Sequence, residues 1–330
     1  MSSNFNDSGE PIVSIIIPTK DNAKLLQTCI EAIEAKSSYK NYEIIIVNNN
    51  SKKEEAKKYL NTLKHKVLSY PQSFNFSSIN NLAVKNAKGE HIIFLNDDTK
   101  VISKDWIERM LEHSVKPTVG AVGALLLYPN DTIQHAGVLI GVGGIAIHAF
   151  EGLPKDDQGY KGLAHQIHEC SAVTGACLMI KKSLFEQVGG FDEHLAYSFN
   201  DVDICLRLRE KGYAIIYTPH AVLYHHGTST RPYIEEEKEI VYFVKRWRDL
   251  ILEGDPFYDP TLSRVRPYEP KKEDENLVLT DTRLIADSEQ RFDKRMGRYI
   301  QVSNKVRKKH GTRRLLMEFI RFFKKRMLQE

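Results

Sequence analysis

Short runs of β-branched and aliphatic residues alternate with longer amphipathic stretches over the first hundred positions of the chain. The runs at Ile12–Ile17, Glu43–Val47 and His91–Leu95 predict strands, and the stretches at Ala23–Lys36, Ser51–Lys64 and Ser77–Lys88 predict helices. Strand–helix–strand order of this kind builds a parallel sheet, because parallel neighbours need a long crossover between them. The first run is almost unbroken Ile and Val, as expected of a strand covered on both faces. Ser51 followed by Glu54 reads as a capping box, and Gly89 stands where a helix would stop before the next strand.

Beyond Asp98 the alternation becomes irregular. A helix is expected at Lys104–Ser114, then strands at Val119–Leu127, Val138–Ile147 and Ala172–Ile180 around a Gly-rich stretch. Helices at Ser183–Val188 and Asp201–Lys211 and extended segments at Tyr213–Tyr217 and Ala221–His226 follow. The expected class is α/β: a Rossmann-like, mostly parallel sheet with helices on both faces, joined to a mixed half. Residues 1–11 read as a flexible N-terminus, 12–231 as one catalytic domain, and 232–330 as a C-terminal helical extension. Within that extension 235–252 is amphipathic and 254–275 is rich in Pro and charge.

A chain of 330 residues with 42% apolar side chains can bury one large α/β core. Its four cysteines (Cys29, Cys170, Cys177, Cys205) lack a CxxC or other metal-binding spacing, which points to reduced thiols. The polar N-terminus lacks a secretory pattern, and no run approaches the roughly 20 apolar residues that span a bilayer. A cytoplasmic location is expected.

Charge changes the picture at one end only. Residues 305–330 hold ten Lys/Arg against two acids, so this segment carries +8 of a net +4 and the remainder −4. Between 312 and 328, Leu315, Leu316, Phe319, Ile320, Phe323 and Met327 recur at helical spacing among Arg and Lys. That pattern suits a helix lying on the inner face of an anionic membrane, each basic residue near the surface adding on the order of 1 kcal/mol. Packing on the chain's own core or on a partner subunit is the alternative. With the basic residues confined to one helix and no recognised nucleic-acid motif, nucleic acid is not an expected partner.

Three clusters carry candidate chemistry. Asn96-Asp97-Asp98 follows a strand directly, and open parallel sheets bind ligands beyond the carboxyl ends of their strands. A hard divalent cation such as Mn²⁺ or Mg²⁺ takes carboxylate and diphosphate oxygens, making Asp98 a candidate ligand; a capped turn is the plainer reading. Asn200-Asp201-Val202-Asp203 opens a helix, where Asp201 is either an N-cap or a general base for an attacking hydroxyl, or both. In Tyr224-His225-His226-Gly227 one imidazole can complete a cation's coordination. Adjacent side chains on an extended segment point oppositely, so only one of the two is expected to do so.

Six stretches occur in order: Val13-Ser14-Ile15-Ile16-Ile17-Pro18-Thr19, Tyr42-Glu43-Ile44-Ile45-Ile46-Val47-Asn48-Asn49-Asn50-Ser51, Leu95-Asn96-Asp97-Asp98-Thr99, Thr174-Gly175-Ala176, Gly189-Gly190-Phe191-Asp192 and Asp201-Val202-Asp203. Together they closely resemble family 2 glycosyltransferases with the GT-A fold, over about residues 12–231. Phe74-Asn75-Phe76 and Gln134-His135-Ala136-Gly137 resemble the bacterial branch that builds O-antigens, capsules and rhamnose-containing wall polysaccharides.

The resemblance implies an inverting transfer of a sugar from a UDP- or dTDP-linked donor to a hydroxyl of a glycan or lipid-linked glycan. It implies that Pro18, Thr19, Asp21, Asn48, Asn81, Asn96 and Asp97 bind the nucleotide sugar. Asp98 would hold the metal with His225, or with His226 if the register is off by one, and Asp201 would be the base. Gly175, Asp192, Glu193 and His135 would flank the acceptor, although turn chemistry or core packing also explains His135. Asn48 and Asn96 stand where the family usually has aspartates, which motivates a rival reading as a degenerate, glycan-binding or scaffolding relative. A sugar nucleotidyltransferase would share the sheet and metal but should carry a Gly-rich basic loop where this chain has Pro18-Thr19-Lys20-Asp21-Asn22.

Overall fold

The computed structural model describes residues 9–227 and 237–272, so the basic segment at 312–328 lies outside the described residues. The first part alternates strictly: β1 (Val13–Thr19), α1 (Ala23–Lys36), β2 (Tyr42–Asn48), α2 (Glu54–Thr62), β3 (Lys66–Ser69), α3 (Phe76–Lys85) and β4 (His91–Leu95). β1 pairs in parallel with β2 and β4, and β2 with β3. Next come β5 (Thr99–Val101), α4 (Trp106–Ser114), β6 (Val119–Leu127), β7 (Ile133–His135), β8 (Val138–Ile140) and β9 (Ala146–His148). β10 (His168–Glu169), β11 (Cys177–Lys181), α5 (Lys182–Gln187), α6 (Asn200–Glu210), β12 (Ala214–His225) and α7 (Glu237–Glu253) complete the series.

Among the described residues ten strands form one sheet, in the order β10-β12-β6-β11-β4-β1-β2-β3, with β5 added to β12 and β7 to β6, and β8 pairs with β9 in a second. β11 runs antiparallel to both β4 and β6, which makes the second half mixed, as expected. Side chains of β4 alternate between two cores. Ile93 and Leu95 join Leu26, Ile30 and Ile33 of α1 and Met110 of α4 in one apolar cluster. Phe94 faces the other way, with its ring centroid 5.3 Å from Phe185 and 4.7 Å from Phe191. Each such aliphatic or aromatic side chain removed from water contributes about 1.5–3 kcal/mol, so the site-bearing strand ends are anchored from both faces.

The chain divides into two compact units. The first holds residues up to 139 and from 148 to the end of β12; the second gathers residues 140–147 with those from α7 onward. In the second unit the Arg264 guanidinium donates to the carbonyls of Ile251 (2.6 Å) and Leu252 (2.8 Å) near the end of α7, and to Gly141 O (2.8 Å). It thereby satisfies acceptors that a helix terminus leaves open.

Several local expectations change. The strand expected at Val138–Ile147 is two, β8 and β9, either side of residues 141–145, and the one expected at Ala172–Ile180 begins only at Cys177. Ser51 does not cap α2, which begins at Glu54; the Lys52 and Lys53 amides donate instead to Asp21 Oδ1 at 2.6 and 2.7 Å. Gly89 does not end a helix, since α3 stops at Lys85. A Cβ there would lie 2.5 Å from the Ser14 backbone nitrogen, so close approach to β1 demands glycine. Finally, Tyr213–Tyr217 and Ala221–His226 are not separate strands. They form the single β12, which bulges against β6: Thr218 and Val222 oppose the adjacent residues Ala124 and Leu125.

Candidate active site

The carboxyl ends of β1, β2 and β4 meet at one edge, and Thr19 and Asn48 are register partners there. Thr19 Oγ1 donates to Asp97 Oδ2 at 2.7 Å, so Asp97 turns back toward β1. Asn48 Oδ1 accepts from the Ser51 amide at 3.0 Å and shapes the turn after β2. Burial acts to raise the Asp21 pKa, but the amides of Lys53 and Lys52 and nearby lysine charge outweigh it and hold the carboxyl below its ordinary value. Beside Asn48, the buried Asn49 donates to the carbonyls of Tyr70 and Gln72 at 3.2 and 3.0 Å, while its Oδ1 has no partner. An orphan buried acceptor of this kind asks for a ligand donor or a water.

The second cluster joins β4 to β12. Asp98 Oδ1 lies 3.1 Å from His225 Nε2, both side chains nearly buried, and Asn96 Nδ2 lies 3.1 Å from the same nitrogen. His226 meets Asp98 through its backbone amide, which donates to Asp98 O at 3.1 Å. Strand alternation thus selects His225 as the imidazole facing the carboxylate. Burial works against the charge on Asp98, but the hydrogen bond and charge of His225 prevail and keep its carboxyl below the usual range. Asp98 Oδ1 and His225 Nε2 are an oxygen and a nitrogen donor close enough together that they would share a divalent cation. Among the described residues no group of three or more His, Cys, Asp or Glu could hold a metal by itself. A cation here would therefore need oxygens from a ligand or from water.

The third cluster is built on α6. Its N-cap is Phe199, in the left-handed region at φ 61°, and not Asp201, which sits in the first turn. Non-glycine residues avoid this conformation, at a penalty of roughly 1–3 kcal/mol, and where it is kept the surrounding structure enforces it. Asp201 Oδ2 accepts from the Gly175 amide at 2.7 Å, and Oδ1 from Val202 N at 2.8 Å. The second acid of the motif is structural. Asp203 is fully buried, 2.7 Å from Arg207 Nε, and Arg207 also donates to the carbonyls of Val188 and Gly190. Residues 175 and 176 link this cluster to the previous one, because the Asn96 amide donates to Ala176 O at 3.1 Å.

Asp192, Glu193 and Asn81 lie on a latch between α3 and the loop after α5. Asn81 Nδ2 donates to Phe191 O (2.9 Å) and Glu193 Oε1 (3.0 Å), and its Oδ1 accepts from Phe191 N (2.9 Å). Asn81, expected by resemblance to bind the nucleotide sugar, thus spends its amide on the loop at 189–193. Hydrogen bonds from Ser78 and Asn81 hold the Glu193 carboxyl below its ordinary value. Asp192 Oδ1 accepts from the His194 amide at 3.0 Å.

His135 is fully buried, its Nδ1 2.8 Å from His148 Nδ1 and its Nε2 accepting from Thr174 N at 3.4 Å. It supports the Thr174–Ala176 segment as packing and offers no surface to an acceptor; burial and the neighbouring His148 hold its pKa far below the ordinary value. Gln134 has no role in the sequence-based assignment, yet it touches His225 with both ends of its amide.

Residues 14–189 match the family model described as Glycosyl transferase family 2. The O-antigen biosynthesis protein RfbC of Myxococcus xanthus is 35% identical over 263 residues, covering 77% of this chain and 20% of that protein. The uncharacterized protein y4gI of Sinorhizobium fredii is 38% identical over 271 residues, covering 78% of this chain and 30% of that protein. The chain therefore spans less than a third of either relative. Among solved structures, GalNAc-T7 with UDP, GalNAc and Mn²⁺ has a TM-score of 0.58 at 15% identity, over 74% of this chain and 49% of that one. The mannosyltransferase PcManGT of Pyrobaculum calidifontis with GDP-Man and Mn²⁺ has a TM-score of 0.52 at 18% identity, over 74% and 66%. The shared architecture is the GT-A fold. With the family model matched over more than half of its length, the chain belongs to glycosyl transferase family 2.

Proposed function

We propose that this chain is an inverting glycosyltransferase that moves a hexosyl or deoxyhexosyl group from a UDP- or dTDP-linked donor to a hydroxyl of a glycan or lipid-linked glycan in cell-surface polysaccharide synthesis. The observation that carries the reading is that two chemistries are tied to one short peptide. Asp98 and His225 converge at 3.1 Å, Asn96 in the same motif donates its amide to Ala176 O at 3.1 Å, and the adjacent Gly175 amide holds Asp201 at 2.7 Å.

Asp98 and His225 would hold Mn²⁺ or Mg²⁺, which when bound neutralises charge on a departing diphosphate. Asp201 uses one lone pair of each oxygen on backbone amides and keeps others to take the proton of the attacking hydroxyl. A single in-line displacement inverts the anomeric centre. Thr19, Asp97 and Asn48 frame the nucleoside side, and Asn49 Oδ1 is an acceptor for a base N–H. Glu193, on its latch, borders the acceptor.

The printed names of the relatives are consistent with this reading: O-antigen biosynthesis for RfbC, and UDP or GDP-Man together with Mn²⁺ in the two solved structures. Among the described residues no helix is long and apolar enough to cross a membrane. The basic pattern at 312–328 supports contact with an anionic membrane surface, where a lipid-linked acceptor would reside.

Thermal unfolding with UDP, dTDP and GDP, each with Mn²⁺ and with chelator, tests the donor site, since a ligand of the folded state raises its stability. One pyrimidine diphosphate should raise the midpoint only with metal, and Asp98→Ala should abolish the rise. A wild-type chain that responds to none of them, or responds equally in chelator, refutes the reading.

A further inference from the structure

β7 is short and irregular. Ile133 opposes Leu127 and His135 opposes Leu126, so two successive residues of β6 face residues two apart on β7, and Gln134 is the extra residue of a bulge. A bulge leaves its extra residue out of the ladder and re-aims the side chain, and bulges concentrate beside active sites. Here the re-aimed side chain is 7% exposed and ends on His225.

The geometry fixes a proton. Gln134 Nε2 donates to His225 O at 3.3 Å, which orients the amide, and Oε1 then meets His225 Nδ1 at 2.5 Å. Oε1 can only accept, so Nδ1 must carry hydrogen. A second proton on Nε2 would go to Asp98 Oδ1, 3.1 Å away; once it leaves and the ring is neutral, the lone pair is on Nε2, where the Asn96 amide nitrogen at 3.1 Å can donate to it. A metal-binding histidine characteristically gives its other N–H to a fixed acceptor, which sets ring rotation and tautomer.

We propose that Gln134 is a positioning residue that locks His225 with Nδ1–H and an open Nε2 facing Asp98, preparing it as a neutral ligand for a divalent cation. This rests on the reading that Asp98 and His225 hold the metal. The dipeptide Gln134-His135 thereby serves both halves of the site, one side chain steadying the metal-facing imidazole and the next supporting the Thr174 amide.

The test uses the full chain with ¹⁵N-labelled histidine, metal-free and in alkaline buffer where imidazoles are neutral, with His225→Asn identifying the signal. Wild type should show the Nδ1–H tautomer at His225; an Nε2–H tautomer there overturns the proposal without any Gln134 variant. Free Mn²⁺ measured by electron paramagnetic resonance then gives affinities. Gln134→Met should weaken Mn²⁺ binding roughly 10–100-fold and mix the tautomers, whereas Gln134→Glu, which keeps the acceptor, should stay within a few-fold of wild type. Wild-type tautomer and affinity in Gln134→Met overturn the positioning role alone. A wild-type chain that does not bind Mn²⁺ removes the metal reading itself, and the positioning role with it.

Discussion

The Gly175 amide donates to Asp201 Oδ2 at 2.7 Å, and the two residues are so close that a Cβ on Gly175 would stand 3.3 Å from the Asp201 Cβ and 3.4 Å from Phe76 Cζ. The glycine therefore sets the position of the candidate base as well as binding it. Gly175→Ala should push Asp201 out of line and lower turnover on the order of tenfold to a hundredfold, with donor affinity nearly unchanged. Steady-state kinetics beside nucleotide titration check this, and unchanged turnover would show that the contact has no bearing on catalysis.

Asp201→Asn keeps the shape and an acceptor for Gly175 but cannot take a proton. Turnover should fall roughly 10²- to 10⁴-fold while the diphosphate still binds within a few-fold. Near-normal turnover would remove Asp201 as the base and leave it as a first-turn residue of α6.

Asn81 ties α3 to the loop at 189–193 through both the amide and the carbonyl of Phe191. Asn81→Ala leaves those backbone groups without their partner and should lower stability by about 1–3 kcal/mol. Because Glu193 is released as well, the acceptor KM should rise more than the donor KM. Equal changes in both would place the loop outside acceptor binding.

His91, at the start of β4, is buried with Nδ1 2.8 Å from Ser114 Oγ. Desolvation, with the charge of Lys181, pushes its pKa down to about 4. An unfolded chain protonates this ring near 6.5, so between those values the unfolded state binds more protons and stability rises with pH. Acidification through that window should remove on the order of 3 kcal/mol. Urea midpoints across pH should show a shallower slope for His91→Gln; an identical slope would mean that His91 is not the group responsible.

Elements with a clean period were legible. β4 is legible as a short unbroken run of Ile, Phe and Leu, and the bounds of α1 from apolar positions at helical spacing. β5, β7 and β10 were not, because two or three residues hold no period and their pairing comes from neighbours distant in sequence. Residue types at the site were legible too: a carboxylate beyond a strand, a carboxylate in a helix's first turn, two histidines ending a strand. Their partners were not. Strand register puts His225 rather than His226 on Asp98, a remote Asp21 and not Ser51 holds the two amides that lead into α2, and Gln134 reaches the site only because of a one-residue irregularity in β7.

The bulge in β12 has a consequence for how this site tolerates change. Pro219, His220 and Ala221 lie between residues that oppose adjacent positions on β6, while Leu223, Tyr224 and His225 are pinned independently to Val101, Lys100 and Thr99 of β5. The strand thus carries a slip joint upstream of its imidazole. A residue gained or lost there can be taken up as slack while the downstream register holds, so length variation among related chains can accumulate in that stretch without turning His225 away from Asp98.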